Sequence, residues 1–526
     1  GEVGVRWVGS GTERAPLGDG DDREASSVAT PAKPDHPLGD SYLTLDASRG
    51  SIRAHIVDRL SQERTMEERI PINAFDMSCI MHQSPGLWAR PEDQSVRYKD
   101  LRYWTELAQL LERGKFDSLF IADVLGIYDT YQGSGDASIR RAMQIPVHDP
   151  VVPVSAMAAV TEKLGFGITV SATYEQPYAL ARRFGTLDHL TGGRIGWNIV
   201  TSYLDGAARN LGMDRQMSHD ERYDLAAEVV DVCYQLWEGS WEDDAVVEDR
   251  EAQIYADPEK VHAIDHHGRF FDVPGVSLVE PSPQRTPVIW QAGTSAKGRA
   301  FAARNAEAIF TVAPTTATLR GYVDDLRRIA AEAGRDPRSV KIFTEICTVV
   351  APTDAEAKAR YEDYLSWTDY EGALAFYAGV TGVDLSQLDP DQPLEYVDTD
   401  SARFALEIFS KADPDRDWTP AEVARFVGIG AMGPVFVGSP ATIATELERW
   451  MDEADIDGFN LAYAVTPGTF VDFIDLVVPE LRRRGRYWDD YDEGTTLRER
   501  LYGPGQARVR EDHPAARYRR APISLP

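Results

Sequence analysis

From about residue 70 onward, short apolar runs alternate with stretches whose apolar residues recur at helical spacing. Short apolar runs are typical of buried strands, and a recurrence near 3.6 residues is typical of amphipathic helices. The alternation of the two predicts an α/β fold built on a parallel sheet. We predict eight strands, over residues 72–80, 118–123, 165–173, 194–202, 286–295, 306–314, 340–350 and 457–465.

Helical patterns follow these runs. The stretch RYKDLRYWTELAQLLERG shows the pattern clearly and ends in Gly114, a residue suited to closing a helix. The predicted helices cover residues 97–114, 150–164, 177–193, 219–239, 297–306, 318–334, 441–454 and 469–485.

Two polar insertions interrupt the pattern, one after strand four at about 240–285 and one after strand seven at about 369–432. Eight strand–helix units over residues 70–500 predict a closed (β/α)₈ TIM barrel that carries these insertions. An open, doubly wound sheet is the alternative that the same alternation permits.

The first part of the chain has a different composition. Residues 1–69 are rich in Gly, Pro, Ser and Asp and contain few large apolar side chains. Such a segment buries too little apolar surface to offset the entropy of ordering. We therefore predict a disordered N-terminal extension over 1–69, a barrel domain over 70–500 and a C-terminal tail over 501–526.

Polar side chains stand where several predicted strands end. The stretch WNIVTSY passes from an apolar run to hydroxyl side chains, and other strands change in the same way. In parallel barrels the C-terminal strand ends form one rim, where functional groups meet a ligand. A single such residue is more often a helix cap, but the set predicts a site. Its members are Cys79, His82, Asp123, Ser171, Thr173, Ser202, Tyr203, Thr294 and Ser295.

Two glycine-containing segments need separate interpretation. The stretch GTSAKGR (293–299) opens a predicted helix, whose free N–H groups favour an anion such as a phosphate. An ordinary turn with a serine cap is an equally good interpretation of these residues. The stretch GIGAMG (428–433) matches a dinucleotide fingerprint but lacks the strand before and the helix after it. We predict a flexible lid loop there instead.

Composition excludes several classes of function. The formal net charge of −30 argues against nucleic acid as a partner, and no apolar run is long enough for a membrane span. The cysteines Cys79, Cys233 and Cys347 are few and far apart, which indicates a reducing, cytoplasmic compartment without disulfides. The DHHG sequence at 265–268 is interpreted as a solvated turn, and we expect no metal site.

Long stretches of the chain resemble the bacterial luciferase-like FMN-dependent monooxygenases. Within that family the resemblance is to the group that contains the long-chain alkane, nitrilotriacetate and dibenzothiophene-sulfone monooxygenases. It spans nearly all of residues 70–500. The stretches that carry it are RYWTELAQLLERGKFDSLFIADVLGIYDTY, YALARRFGTLDHLTGGRIGWNIVTS, HDERYDLAAEV, SPQRTPVIWQAGTSAKGR and DGFNLAYAVTPGTFVDFIDLVVPEL.

The resemblance implies a reaction and its participants. Reduced FMN comes from a separate NAD(P)H-dependent flavin reductase, and O₂ then forms a flavin peroxide that inserts one oxygen atom into the substrate. A homodimer is also implied by the family. The leading hypothesis is terminal hydroxylation of a long-chain alkane. Oxygenation at sulfur or nitrogen is the first alternative, and deazaflavin-dependent hydride transfer is the second. A flavin-binding protein without catalysis is the remaining class.

The resemblance also assigns roles to particular residues. Two positions depart from the alkane monooxygenase, because Tyr203 and Phe376 stand where that relative has histidines. His82 is expected to hydrogen-bond the reacting oxygen species or a proton donor. The implied catalytic or substrate-pocket residues are Cys79, His82, Tyr128 and Gln144. The implied cofactor-binding residues are Asp123, Ser202, Tyr203, Tyr223, Ala292, Gly293, Thr294 and Ser295.

Overall fold

The computed structural model describes residues 69–394, 418–492 and 496–520. The predicted disordered extension therefore lies outside the described residues, apart from Arg69 at its end. Part of the second predicted insertion, residues 395–417, also lies outside them.

Eight parallel strands form a closed barrel, as the sequence predicts. Each strand pairs with its neighbours along the chain, and the ring closes where the first strand pairs with the last. The barrel strands are β1 (Ile72–Met77), β2 (Ser118–Ala122), β3 (Gly165–Ser171), β4 (Ile195–Val200), β9 (Val288–Gln291), β10 (Ala308–Thr311), β11 (Lys341–Val350) and β13 (Gly458–Ala462). The open-sheet alternative is excluded by this closure.

Aromatic side chains fill the middle of the barrel. They interdigitate with ring centroids 4.6–5.8 Å apart and exclude water from the interior. At the N-terminal strand ends a polar layer takes over, in which Ser118 Oγ donates to Asn73 Oδ1 at 2.6 Å and Asn73 Nδ2 donates to Asn460. The aromatic side chains are those of Phe75, Phe120, Trp290, Phe310 and Phe343.

Helices surround the barrel close to their predicted positions. One prediction is wrong in extent, since the pattern at 150–164 gives a helix only over Val154–Ala158. The other long helices are Leu101–Arg113, Pro177–Thr191, His219–Tyr234, Ala296–Asn305, Thr316–Glu332, Asp354–Trp367, Tyr370–Thr381 and Pro440–Ala454. The shorter ones are Asp136–Arg141, Asp205–Asn210, Pro420–Val427, Gly468–Asp472, Val478–Arg483 and Leu497–Tyr502, with π-turns at Gln235–Gly239 and Phe473–Val477.

The two insertions have different structures. The first contains two small hairpins, β5 (Val246–Asp249) with β6 (Ile254–Ala256) and β7 (His266–His267) with β8 (Asp272–Val273). The second insertion packs the helices Tyr370–Thr381 and Pro420–Val427 into an apolar cluster with residues that follow β1, β2 and β4, among them Met81, Tyr128 and Leu204.

The second insertion ends in two features that the sequence did not reveal. An additional strand, β12 (Val435–Gly438), extends the sheet alongside the C-terminal half of β11. The lid loop predicted at 428–433 is instead a largely buried turn. It is fixed by hydrogen bonds from Gly430 N to Ser84 Oγ and from Ala431 N to Gln83 O.

Residues 496–520 pack against the outside of the barrel. Arg498 is fully buried and forms a two-bond ion pair with Glu307, at 2.7 and 2.9 Å, at the start of β10. No helix in the described ranges is both long enough and apolar enough to cross a bilayer.

Candidate active site

A cavity of about 370 Å³ opens at the C-terminal rim of the barrel. Segments that are far apart in sequence line it, because parallel strands bring their C-terminal ends to one face. All eight residues that the resemblance assigns to the cofactor are among those lining it: Asp123, Ser202, Tyr203, Tyr223, Ala292, Gly293, Thr294 and Ser295.

The end of β4 is held in a sparsely populated backbone conformation. Ser202 has φ +52°, a value that costs energy for a residue other than glycine. Its hydroxyl donates to Ser171 Oγ at 2.9 Å, while Thr173 Oγ1 donates to the Thr201 carbonyl at 2.6 Å. These bonds join the ends of β3 and β4 and fix the wall of the cavity.

The loop after β9 combines both interpretations of GTSAKGR. Ser295 caps the helix Ala296–Asn305, accepting from Gly298 N at 3.0 Å, and the same loop lines the cavity. Gly293 and Gly298 leave room for the Tyr223 hydroxyl. A Cβ added at Gly293 would lie 2.8 Å from the Tyr223 hydroxyl oxygen, and a Cβ added at Gly298 would lie 2.6 Å from it. The glycines therefore allow a tyrosine to pack directly against the start of the helix.

Asp123, at the end of β2, has an unusual environment for a carboxylate. Burial raises its pKa to about 7, with a further contribution from the nearby negative charge of Asp149. Near neutral pH this side chain can both donate and accept a hydrogen bond, depending on its protonation. Among the predicted cofactor residues that the structure describes, Asp123 is the one whose pKa is raised to near neutral pH.

We predict that Asp123→Asn stabilises the fold at high pH and not at low pH. The raised pKa means that the folded state binds more protons than the unfolded state between about pH 4 and 7. Stability contributed by the protonated carboxyl is thus lost as pH rises through about 7. Urea unfolding of both proteins at pH 4.5 and 8 measures this. An equal gain at both pH values would contradict the prediction.

The cavity also contains residues that sequence analysis missed. His219, Arg222, Gln291 and Thr201 line it beside the predicted set. His219 Nε2 lies 3.0 Å from Ser295 Oγ, and His219 Nδ1 lies 2.8 Å from Asp220. For His219, helical periodicity was the available signal, because this residue lies four positions before Tyr223 and therefore on the same face of the helix.

Three of the four predicted catalytic residues, His82, Tyr128 and Gln144, are joined with Tyr203 by a series of hydrogen bonds, and Cys79 lies beside them. Tyr203 Oη donates to Tyr128 Oη at 3.2 Å, Tyr128 Oη donates to Gln144 Oε1 at 2.8 Å, and Gln144 Nε2 donates to the His82 carbonyl at 3.0 Å. Cys79 and Met81 pair with the segment that carries Gln144, through bridges to Val147 and Met143. These hydrogen bonds thus link Tyr203, on the wall of the rim cavity, to the backbone of His82.

Burial limits the chemistry of this set. The His82 ring packs edge-on against Phe75, and burial lowers the pKa of His82 to about 3, so the imidazole is neutral at pH 7. Burial also raises the pKa of the Cys79 thiol, which is therefore not a ready nucleophile. The Cys79 Sγ donates to the Met81 carbonyl at 3.1 Å.

A second cavity, of about 460 Å³, adjoins the first and shares Asp123, Val124 and Leu125 with it. Gln144 lines this cavity, whereas Cys79, His82 and Tyr128 line neither of the two. Its walls combine apolar side chains, such as Leu125, Ile127 and Val147, with the charged side chains of Asp149, Glu175 and Arg183. The arrangement provides two adjoining compartments, each with both polar and apolar walls.

The described part of the chain contains no cluster of three or more His, Cys, Asp or Glu residues that could hold a metal ion. The histidines of the DHHG sequence lie in a hairpin, where His266 Nε2 contacts Glu228 and His267 Nδ1 contacts Asp272. The cysteines are free and buried.

A family model described as luciferase-like monooxygenase matches residues 75–457. The dimethyl-sulfide monooxygenase of Hyphomicrobium sulfonivorans is 53% identical over 87% of this chain and 95% of that protein. The long-chain alkane monooxygenase of Geobacillus thermodenitrificans is 52% identical over 86% of this chain and 99% of that protein.

Solved structures agree with these similarities. The crystal structure of DmoA from Hyphomicrobium sulfonivorans matches with a TM-score of 0.81, over 86% of this chain and 96% of that one. A riboflavin lyase, solved with modified FMN and the substrate riboflavin, is 37% identical with a TM-score of 0.79, over 86% of this chain and all of that one.

Proposed function

Since the chain belongs to the luciferase-like monooxygenase family, we propose that it is the oxygenating component of a two-component, FMNH₂-dependent monooxygenase that acts on an apolar small molecule. The observation that carries this proposal is the rim cavity lined by all eight predicted cofactor residues. Family members of this group use reduced flavin and O₂. The two-component relatives imply a separate flavin reductase as partner.

The residues of the cavity fit a flavin mononucleotide. Free N–H groups at the start of the helix Ala296–Asn305 suit a phosphate, and the glycines at 293 and 298 allow close approach of the backbone. Hydroxyl groups at Ser202 and Tyr203 and the carboxyl of Asp123 suit the polar edge of a ring system. Reduced FMN, when bound, supplies the electrons that activate O₂ for transfer of one oxygen atom.

The protein's share of the reaction is binding, orientation and control of water. Asp123 lies on the wall common to both cavities and is poised between its protonated and ionised forms near pH 7. We propose that it holds or moves a proton between the two compartments. The chain from Tyr203 through Tyr128 to Gln144 is proposed to orient the groups at their boundary.

We propose that the second cavity receives the substrate and that a long-chain alkane is the leading candidate. The apolar side chains on its wall, including Leu125, Ile127, Val147 and Val151, and its volume of about 460 Å³ suit an extended hydrocarbon. Phe376 does not line this cavity, but its buried ring lies 6.2 Å from that of Tyr128, which donates a hydrogen bond to Gln144 on the cavity wall. A small organosulfur compound is the second candidate, favoured by the similarity to the dimethyl-sulfide monooxygenase.

A reductase-coupled assay tests the proposal. The purified chain, a flavin reductase, NADH, FMN and O₂ are incubated with alkanes, dimethyl sulfide, sulfones and amines, and the products are identified by mass spectrometry. We expect an oxygenated product that carries one ¹⁸O atom from ¹⁸O₂ and requires FMN. If only one class of compound gives an oxygenated product, that class contains the substrate of the enzyme.

Matched reactions distinguish the alternatives. Replacing FMN and reductase with a reduced deazaflavin tests hydride transfer, and product formation only under those conditions would overturn the proposal. Flavin binding without oxygenation of any substrate in the panel would favour a non-catalytic flavin-binding protein.

A further inference from the structure

The second cavity carries more acidic than basic groups on its wall. Asp123, Asp149 and Glu175 line it, and among the described residues Arg183 is the one arginine or lysine that does so. A molecule that enters the cavity therefore meets three carboxyl groups and one guanidinium group. The balance matters because charges of one sign around a cleft concentrate their field on the molecule inside it.

The single guanidinium group on this wall already has a partner. Arg183 Nη1 donates to Glu175 Oε1 at 3.0 Å, and both residues line the cavity. An anion that approached Arg183 would also approach the Glu175 carboxylate, whose repulsion opposes the attraction of the guanidinium group. The pair therefore offers no net positive charge to an entering carboxylate.

The other two carboxyl groups have no cationic partner among the described residues. Asp149 Oδ1 accepts a hydrogen bond from Val151 N at 2.8 Å, which is a local turn contact and leaves the negative charge uncompensated. Asp149 also acts on Asp123, because its charge contributes, after burial, to the raised pKa of the Asp123 carboxyl. The two groups thus maintain a negative potential on the wall that adjoins the rim cavity.

Two further titratable side chains line the cavity and have contacts of their own. The His148 ring packs against Tyr98 with centroids 4.6 Å apart, and Tyr174 Oη accepts from Gln216 Nε2 at 2.6 Å. Neither side chain adds a permanent positive charge to the wall.

We infer that the second cavity accepts uncharged substrates and excludes organic anions, and that Asp149 sets this preference. The inference rests on the proposed function and narrows its substrate class. A carboxylate that entered would lose water and gain no uncompensated cation in return. An uncharged molecule of the same length would avoid this cost and still contact the apolar side chains of Leu125, Ile127 and Val147. The carboxyl groups thus act as a repulsive element against the wrong class of ligand.

The test compares two carboxylates with their methyl esters, so that charge is the main difference within each pair. The pairs are octanoate with methyl octanoate and (methylthio)acetate with its methyl ester, one pair for each candidate substrate class. Dissociation constants for the full chain are measured by isothermal titration calorimetry near neutral pH. We expect the ester of at least one pair to bind about tenfold or more tightly than the acid.

The variant Asp149→Asn separates the charge of the wall from the general cost of burying a carboxylate. We expect its ester-to-acid preference to fall about fivefold, through tighter binding of the acid. In the wild type, raising NaCl from about 0.05 M to about 0.5 M should also reduce the preference, because salt screens the repulsion.

Asp257→Asn is the matched control. Asp257, like Asp149, precedes a proline and accepts from the backbone N–H two residues later, at 3.0 Å, but it lines neither cavity. Asparagine keeps an acceptor oxygen at both positions, so both local turns are retained. This variant is expected to keep the wild-type ratio of affinities.

Several outcomes would overturn the inference. They include an unchanged ratio in Asp149→Asn, an equal fall in Asp257→Asn, and a wild type that binds the acids as tightly as the esters. If Asp149→Asn does not fold, the wild type decides, because a preference that is independent of salt excludes repulsion by the wall. Binding of neither member of either pair would overturn the proposed use of this cavity as well. Selective binding of esters without oxygenation would leave this inference standing and reject only the proposed reaction.

Discussion

Replacement of Gly293 by alanine is expected to weaken FMN binding about tenfold or more. A Cβ at this position would lie 2.6 Å from Gln291 Nε2, 2.8 Å from Tyr223 Oη and 2.9 Å from the Cα of Gly298. The last contact is with backbone, so a side-chain rotation cannot relieve it. Overpacking of this kind costs about 1–3 kcal/mol and shifts the loop that lines the cavity.

Gly321→Ala provides the control for this prediction. A Cβ at Gly321, inside the helix Thr316–Glu332, meets nothing within 4 Å. This variant is expected to raise the free energy of unfolding by about 0.5–1 kcal/mol and to leave FMN affinity unchanged. Fluorescence titration and urea unfolding measure the two quantities. Wild-type FMN affinity in Gly293→Ala would exclude a role for the tight loop in cofactor binding.

Arg498→Met is expected to lower the free energy of unfolding by about 3–5 kcal/mol. The substitution leaves the buried Glu307 carboxylate without its partner, which is the costly way to break a buried ion pair. Arg498 also donates to the carbonyls of Thr286 and Ala507, at 2.7 and 2.8 Å. One side chain therefore joins the C-terminal segment to β9 and β10.

The matched control is Arg328→Met, which removes an exposed arginine paired with Asp325 and Glu332 on one helix. Exposed pairs contribute about 0–1 kcal/mol, so this variant should unfold nearly as the wild type does. Urea unfolding at pH 7 checks both variants. A loss for Arg498→Met as small as that of the control would mean that Glu307 is rehydrated or protonated at little cost.

The sequence alone determined the order of strands and helices. The strands β1, β4 and β11 are rich in apolar residues because parallel barrel strands are buried on both faces, and this local pattern requires no knowledge of contacts. It also placed polar residues at the strand ends, from which a shared rim follows by topology. The resemblance to a known family then selected the eight residues that line the cavity.

Only the tertiary structure decided how exposed and how charged those residues are. The burial of His82 and Cys79 and the pairing of Arg498 with Glu307 depend on residues distant in sequence. The strand β12 is also a long-range feature, since its four residues are stabilised by pairing with β11. Periodicity reports which face of an element is buried. The free energy of a charge or a short strand depends instead on its neighbours in space, and these are fixed only when the chain has folded.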